Sequence, residues 1–225
     1  MSDYVASYVG ARERISELAR GAGEDELQLK VPACPDWTVR ELVSHLVGVA
    51  TDSVAGEIEN LGNESWTTKH LEDRKGRSID ELIAEWEKAA VTLDAALADI
   101  HPALAGGLIG DVITHEHDLR GALDKPGARD MDLLELPIYT YVRWFGTRVK
   151  KAGLDPVEVE SGDKSWIAGA GEAGPRVTAD PFDLLRSLTG RRTRLEVKDL
   201  KWEGDPEPYL EVFSSYTYAR SPLNE

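Results

Sequence analysis

Two stretches of the chain combine a capping box with a helical spacing of apolar residues. Thr38 and Ser78 are each followed three residues later by Glu, the pattern that closes the first turn of a helix. Beyond each box, apolar residues recur every three or four positions, as far as Ala50 and Leu97 respectively, which is the spacing of one buried helix face. The pattern predicts an amphipathic helix after each box.

The same spacing recurs in three further segments, which we predict to be helical: residues 4–20, 107–123 and 133–151. Turn-forming glycine or proline residues follow the first two segments, as expected where helices end. Four amphipathic helices, joined by longer connections such as residues 61–77, predict a four-helix bundle. The fifth helix follows the bundle and can pack against it.

After Gly153 the helical spacing gives way to short segments. Residues 157–160 and 195–198 alternate apolar and charged positions, which predicts half-buried strands. Asp180-Pro181 and Asp205-Pro206 each place an N-cap residue before a proline, which predicts the start of a short helix. This mixture is typical of a small α+β unit.

The predicted fold is therefore mainly α, with a four-helix bundle over residues 1–152 and a small α+β domain over residues 153–225. The chain has 225 residues, of which 41% are hydrophobic, so each part can bury a core.

The net charge of the chain makes nucleic acid and anionic membranes unfavourable partners. The chain carries 26 Lys and Arg against 41 Asp and Glu, a net charge of −15, which repels nucleic acid and anionic membrane surfaces. The N-terminus lacks the apolar core of a signal peptide, and no segment approaches the roughly 20 apolar residues of a membrane span. The single cysteine, Cys34, cannot form an internal disulfide. We therefore expect a cytoplasmic protein whose partners are neither nucleic acid nor membranes.

Residues 111–119, DVITHEHDL, place five ionisable side chains in a segment that is otherwise typical of a buried helix. On a helix, Asp111 and Asp118 fall within about 60° of His115, in the middle of the apolar stripe, whereas His117 lies about 160° away. His115 and His117 are therefore predicted to face different surroundings.

Asp111 and His115 are four positions apart, so their side chains stack on one helix face and can converge on one metal ion. The spacing equally allows a buried core histidine held by Asp111 or Asp118. A third ligand would have to come from a facing helix, as in other bundle metal sites, and His45 is the candidate. Alternatively, His45 lies only at the border of its apolar face.

Residues 31–46 read VPACPDWTVRELVSHL. They resemble the CPDWTVRELVxHL signature of the mycothiol-dependent maleylpyruvate isomerase family, a branch of the DinB-like helical bundles. Asp111, His115 and Asp118-Leu119 are similar to a second signature of that family, Glu-x-x-x-His followed by Trp-Asp-Leu. Two C-terminal segments look like the family's second domain, residues 179–185 and 188–192.

The resemblance implies a divalent metal, usually zinc, held by His45, Asp111 and His115. It also implies mycothiol as co-substrate, with its sulfur bound to the metal as a thiolate that attacks an electrophilic carbon. Three protein ligands leave a position open for water or substrate, which is the pattern of catalytic zinc. Asp118 is expected to hold one of these ligands by a hydrogen bond.

The chain departs from the family pattern at two positions. Asp111 replaces Glu and is one methylene shorter, so the helix must approach the metal more closely or a water must bridge the gap. His117 replaces Trp, and because the helix turns it away from His115 we reject it as a ligand. We expect it at the bundle edge or against the C-terminal domain.

Two residues before the second helix are further candidates. Cys34 can be a soft metal ligand or a nucleophile, or a small residue buried at the helix entry. Trp37 can pack as a hydrophobic staple or face a substrate. His70 and His101 lie in polar segments that are typical of loops, and we assign them no role.

The resemblance also implies that an Arg of the second domain assists catalysis, and three candidates are open: Arg191, Arg192 and Arg220. A guanidinium group can clamp the carboxylate of a substrate or thiol cofactor. The cluster at residues 190–194 can equally be a solvated turn.

The resulting prediction is a metal-dependent enzyme that uses a low-molecular-weight thiol, mycothiol, for isomerisation or S-transfer on a small electrophile. The alternatives are a non-catalytic metal- or ligand-binding protein and a metal-dependent hydrolase in which water is the nucleophile.

Overall fold

The computed structural model describes residues 4–57, 59, 62–129, 134–172 and 174–223. The helices are α1 (Tyr4–Arg20), α2 (Glu24–Leu27), α3 (Val39–Ala55), α4 (Glu64–Asp73), α5 (Ile79–Leu97), α6 (Pro102–Ala122), α7 (Glu135–Ala152), α8 (Pro181–Leu188), α9 (Arg194–Lys198) and α10 (Glu207–Leu210). The strands are β1 (Lys30–Val31), β2 (Cys34–Thr38), β3 (Val157–Ser161), β4 (Lys164–Ala168), β5 (Arg176–Thr178) and β6 (Lys201–Glu203).

Four long helices form the bundle that the apolar spacing predicts. Helix α1 packs against α5 and α6, and α3 packs against the same two helices. Both capping boxes form: Thr38 Oγ1 accepts a hydrogen bond from the Glu41 amide at 3.2 Å, and Glu41 Oε2 accepts one from the Thr38 amide at 2.7 Å. The box at Ser78 and Glu81 has the same geometry. The mainly α fold with a four-helix bundle is confirmed.

Helix α6 starts at Pro102 rather than at the predicted residue 107, and the Nδ1 atom of His101 caps it by accepting from the Ala103 amide at 3.2 Å. Glycines on α6 bring α7 close. A Cβ atom at Gly106 would lie 2.0 Å from Thr140 Oγ1, and one at Gly110 would lie 2.6 Å from Tyr141 Cε2. Small residues at the crossing therefore set the distance between α6 and α7.

The predicted connection at residues 61–77 contains helix α4, and the expectation that His70 lies in a polar loop is wrong. His70 is completely buried, as is most of Trp66 four residues before it. Only these two residues of α4 are buried, which is too few to produce a recognisable apolar stripe. The start of that predicted connection, residue 61, lies outside the described residues, as does residue 133, the predicted start of α7.

Strands β4, β3, β5 and β6 form a sheet in that order, in which β3 runs parallel to β5 and antiparallel to β4. The strand predicted at residues 157–160 is confirmed as β3. The strand predicted at 195–198 is wrong, because Thr193 and Glu196 form a capping box that starts α9 there. Helix α8 begins at the predicted Asp180 cap, whereas α10 begins after Pro206, one position later than predicted.

The C-terminal elements pack on the outside of the bundle. Helix α7 contacts α6 on one side and β4 and α8 on the other, and α8 also reaches α6. The short hairpin of β1 and β2, which the sequence did not predict, contacts α3 and α6 and leads directly into α3. The division into domains at 152/153 stays a prediction. Among the described residues, no helix is both long and apolar enough to cross a bilayer.

Candidate metal site and cavity

Helices α3 and α6 bring His45, Asp111 and His115 together. The Nε2 atom of His45 lies 3.9 Å from Asp111 Oδ2, and the Nε2 atom of His115 lies 3.6 Å from Asp111 Oδ1. One ligand atom from each residue lies within 4.8 Å of the other two. Both imidazoles are buried, at 4% and 5% exposure, while the Asp111 side chain is 25% exposed.

The donor set fits a divalent cation. Separations of 3.6 and 3.9 Å are too long for hydrogen bonds, so Asp111 interacts with the two rings only through its charge. Two ligand atoms held at about 2.0–2.1 Å by one tetrahedral Zn²⁺ ion lie roughly 3.4 Å apart, close to these distances. Two imidazole nitrogens and one carboxylate are ligands that zinc and similar ions prefer.

The electrostatics of the site favour a positive charge beside Asp111. Burial lowers the pKa of His115, but Asp111 and the hydrogen bond to Asp118 outweigh burial and raise that pKa to about 10. Burial, together with the neighbouring His115, lowers the pKa of His45 well below its usual value. A protonated His115 thus balances the negative charge of Asp111 and Asp118. A bound metal ion would supply positive charge in place of that proton.

Asp118 holds His115 from behind. Its Oδ2 atom lies 2.9 Å from His115 Nδ1, which leaves His115 Nε2 facing Asp111. Arg186 and Arg191 each donate to Asp118, at 2.8 and 2.7 Å. Burial alone would raise the pKa of Asp118, but these two guanidinium groups hold it well below its usual value.

Arg186 was missed in the sequence, although one signal for it exists. It is the only basic residue in α8, a short helix whose other positions are mostly apolar, and it is completely buried. A buried cation requires a buried anion, so its partner had to lie in the protein interior. The partner is Asp118, on the bundle side of the contact.

A second buried pair stands behind His45. The Nδ1 atom of His70 lies 3.3 Å from His45 Nδ1, and its Nε2 atom lies 3.0 Å from Asp52 Oδ2. The ring of Trp66 packs edge-on against His70 at 4.2 Å. Each of the two candidate histidine ligands therefore has its Nδ1 atom engaged from behind.

The three candidate ligands line a cavity of about 720 Å³, within the usual range for small-molecule sites. Trp37 covers both imidazoles, with ring centroids 4.9 Å from His45 and 5.9 Å from His115. The cavity wall combines the β1–β2 hairpin, α6, α7 and the C-terminal segment. Its aromatic lining includes Tyr141, Trp144 and Tyr216.

The three arginine candidates differ in position. Arg191 lines the cavity, and its Nη2 atom lies 3.4 Å from Cys34 Sγ. Arg192 pairs with Asp183 at 2.6 Å, and Arg220 is exposed; neither of the two is part of the cavity wall. Cys34 is half-buried in the cavity wall and lies close to His115 and Asp118. A role as metal ligand or nucleophile therefore stays open beside the simple packing role.

His117 lies on the opposite side of α6. Its ring packs edge-on against Phe182 of α8 at 4.7 Å, so the expected contact with the C-terminal part of the chain is confirmed. Burial and Arg186 lower its pKa to about 3, so the ring stays neutral near pH 7. Nothing in this position connects it with His45 or Asp111.

Comparisons with known proteins agree with this architecture. The mycothiol maleylpyruvate isomerase N-terminal domain matches residues 9–122, which include α3, α6 and all three candidate ligands. A comparison with curated proteins gives no match.

Two solved structures share the fold at low sequence identity. The crystal structure of a histidine-to-alanine mutant of the mycothiol-dependent maleylpyruvate isomerase is 13% identical, with a TM-score of 0.55 over 83% of this chain and 88% of that chain. The crystal structure of the mycothiol-dependent maleylpyruvate isomerase itself is also 13% identical, with a TM-score of 0.51 over 84% and 88%. The domain match spans just over half of the chain, and the chain therefore belongs to the mycothiol maleylpyruvate isomerase family.

Proposed function

We propose that this protein is a metal-dependent enzyme that uses a low-molecular-weight thiol, mycothiol, to isomerise a small electrophile or to join the intact thiol to it through sulfur. The observation that carries the proposal is the convergence of His45, Asp111 and His115 on one point in the wall of a cavity of about 720 Å³. Membership of the family makes mycothiol the first thiol to test.

His45, Asp111 and His115 would hold the metal. When bound, a divalent ion such as Zn²⁺ supplies a positive charge that favours the thiolate form of a sulfur ligand near neutral pH. The protein offers two neutral nitrogens and one carboxylate, which leaves a coordination position for a small molecule. Asp111 faces the cavity with a quarter of its side chain exposed, so the open side of the site is the side that substrate can reach.

The surrounding residues orient the ligands and exclude water. Asp118 accepts a hydrogen bond from His115 Nδ1 and thereby directs Nε2 towards Asp111. Trp37 covers the two imidazoles with a flat apolar surface. A site enclosed in this way strengthens the electrostatic interactions inside it.

Arg191 is the arginine we propose for catalysis, because it lines the cavity and reaches the same corner as Cys34. Its hydrogen bonds to Asp118 and to the Thr189 carbonyl fix the guanidinium plane in the cavity wall. A developing negative charge on the substrate would be stabilised there. Arg192 and Arg220 lie outside the cavity wall, so a catalytic role for either has less support.

The test combines metal analysis with a substrate screen. Purified protein loaded with Zn²⁺ or Co²⁺ should retain about one equivalent per chain, and turnover of maleylpyruvate and other small electrophiles should require mycothiol. A chain that retains no metal under any loading condition would contradict the proposal. Turnover without thiol would instead identify a hydrolase, and metal binding without turnover of any electrophile would identify a binding protein.

A further inference from the structure

Three buried side chains form a line that ends at the candidate metal site. Asp52 on α3 contacts Nε2 of His70 at 3.0 Å, and Nδ1 of His70 contacts Nδ1 of His45 at 3.3 Å. The remaining ring nitrogen of His45, Nε2, faces Asp111. All three side chains are buried, with His70 at 0% exposure, so water does not compete for these contacts.

Asp52 determines where the hydrogens lie along this line. A carboxylate accepts hydrogen bonds and donates none, so Nε2 of His70 must carry a hydrogen. In a neutral ring the other nitrogen, Nδ1, then has a lone pair and accepts. The partner atom, His45 Nδ1, must therefore donate, which leaves the lone pair of His45 on Nε2. That is the nitrogen that faces Asp111 and the cavity.

The opposite arrangement is unfavourable at both ends. A hydrogen on Nδ1 of His70 would leave its Nε2 lone pair against the Asp52 carboxylate. His45 would then accept through Nδ1, and as a neutral ring it would carry its hydrogen on Nε2, where it could not bind a cation.

The residues around His70 pack closely against its imidazole ring. A Cβ atom at Gly48 would lie 2.2 Å from Cγ of His70, so the imidazole lies directly on the backbone of α3. Glycine weakens the interior of a helix, and its presence in the middle of α3 makes room for this contact. Trp66 holds the ring from another side, with the centroids 4.2 Å apart.

We infer that His70 is a positioning residue: together with Asp52 it fixes His45 as the Nδ1–H tautomer and so presents Nε2 to the metal. The inference rests on the metal site of the proposed function. It also distinguishes the two histidines, because His115 is held directly by the carboxylate of Asp118, whereas His45 is held by a carboxylate acting through a second imidazole. Hydrogen-bond partners of this kind commonly change metal affinity when they are removed.

The first measurement is the affinity of the full chain for Co²⁺ and Zn²⁺ in competition with a chelator. His70→Leu removes the acceptor and should weaken binding about 10- to 100-fold. His70→Asn places a carbonyl oxygen near the position of Nδ1 and should recover part of that loss. His117→Leu is the matched control, because it removes another buried histidine that packs against an aromatic ring, and it should leave the affinity unchanged. Affinity within twofold of wild type for folded His70→Leu would overturn the inference.

The second measurement reads the tautomer directly and does not depend on metal. Long-range ¹H–¹⁵N correlation spectra of the metal-free wild-type protein should show the hydrogen of His45 on Nδ1, and His70→Leu should shift it towards Nε2. A hydrogen on Nε2 of His45 in the wild type would overturn the inference. Failure of the wild type to bind metal contradicts the proposed function instead, and the tautomer of His45 then still decides the role of His70.

Discussion

Arg186 on α8 donates a hydrogen bond of 2.8 Å to the carboxylate of Asp118 on α6, and neither side chain is exposed to solvent. The same carboxylate accepts from His115, a candidate metal ligand. The C-terminal elements are therefore joined to the site through a buried ion pair, and not only through apolar packing.

Removing Arg186 should destabilise the protein strongly. Arg186→Met keeps most of the side-chain volume but deprives Asp118 of one of its two guanidinium partners, and we expect the free energy of unfolding to fall by about 3 kcal/mol. Urea denaturation measures the change. Arg194→Met is the control, because Arg194 pairs with Glu207 and Glu211 at the surface, and such pairs contribute less than about 1 kcal/mol. Similar losses for the two variants would contradict this role of the buried pair.

Each of the three candidate ligands should be necessary for metal retention. His45→Ala, Asp111→Ala and His115→Ala each remove one donor from a set of three, and we expect each variant to lose the metal during dialysis under conditions in which the wild type keeps it. Elemental analysis measures the retained metal, and circular dichroism confirms the fold. His117→Ala should keep its metal, because His117 faces Phe182. Full retention by any of the three ligand variants would exclude that residue.

The carboxylate length at position 111 can be tested separately from its charge. Asp111→Asn preserves the shape but removes the charge, and should weaken Zn²⁺ binding by more than about tenfold, or ~1.4 kcal/mol. Asp111→Glu keeps the charge, and because the side chain is 25% exposed towards the cavity, the extra methylene has room. We expect its affinity to remain within about tenfold of wild type. A Glu variant as weak as the Asn variant would show that the spacing of α3 and α6 requires Asp.

Two neighbouring glycines on α6 should respond differently to alanine. Gly106→Ala would place Cβ 2.0 Å from Thr140 Oγ1 and 3.0 Å from the Leu136 carbonyl oxygen, so α7 must move. We expect a loss of about 1–3 kcal/mol, as for other overpacked sites. Gly107→Ala meets only the edge of Trp144 at 3.3 Å, and the gain in helix propensity should leave it neutral or up to ~1 kcal/mol more stable. Thermal unfolding compares the two variants, and equal stabilities would contradict the close packing of α6 on α7.

The sequence predicts the bundle and the meeting of His45, Asp111 and His115 because both depend on helical periodicity. The four-residue spacing places Asp111 and His115 on one face whatever the rest of the chain does. The same periodicity separates His115 from His117, which the structure places against Phe182. Periodicity alone orders side chains within one helix. His45 is the candidate from the facing helix, and the resemblance to the family supports that choice.

The parts that the sequence did not predict depend on contacts between distant segments. His70 belongs to a ten-residue helix with two buried positions, so no periodic pattern separates it from a loop. Arg186 pairs with a residue 68 positions away, and no local rule indicates such a partner. At Leu195 and Val197 two local signals compete, and the capping box that begins at Thr193 prevails over the alternating pattern.

Asp118 contacts both His115 in the bundle and two arginines in the C-terminal part of the chain. This double role limits how the protein can be divided or recombined. A fragment ending at Ala152 would contain His45, Asp111 and His115, yet Asp118 would lose the guanidinium groups of Arg186 and Arg191. Its negative charge would be exposed at the broken interface, and His115 on the same helix would be left without the arginines that fix its carboxylate partner. A chimera that joins this bundle to the C-terminal part of a relative therefore inherits a working arrangement around His115 only if that part supplies equivalent arginines.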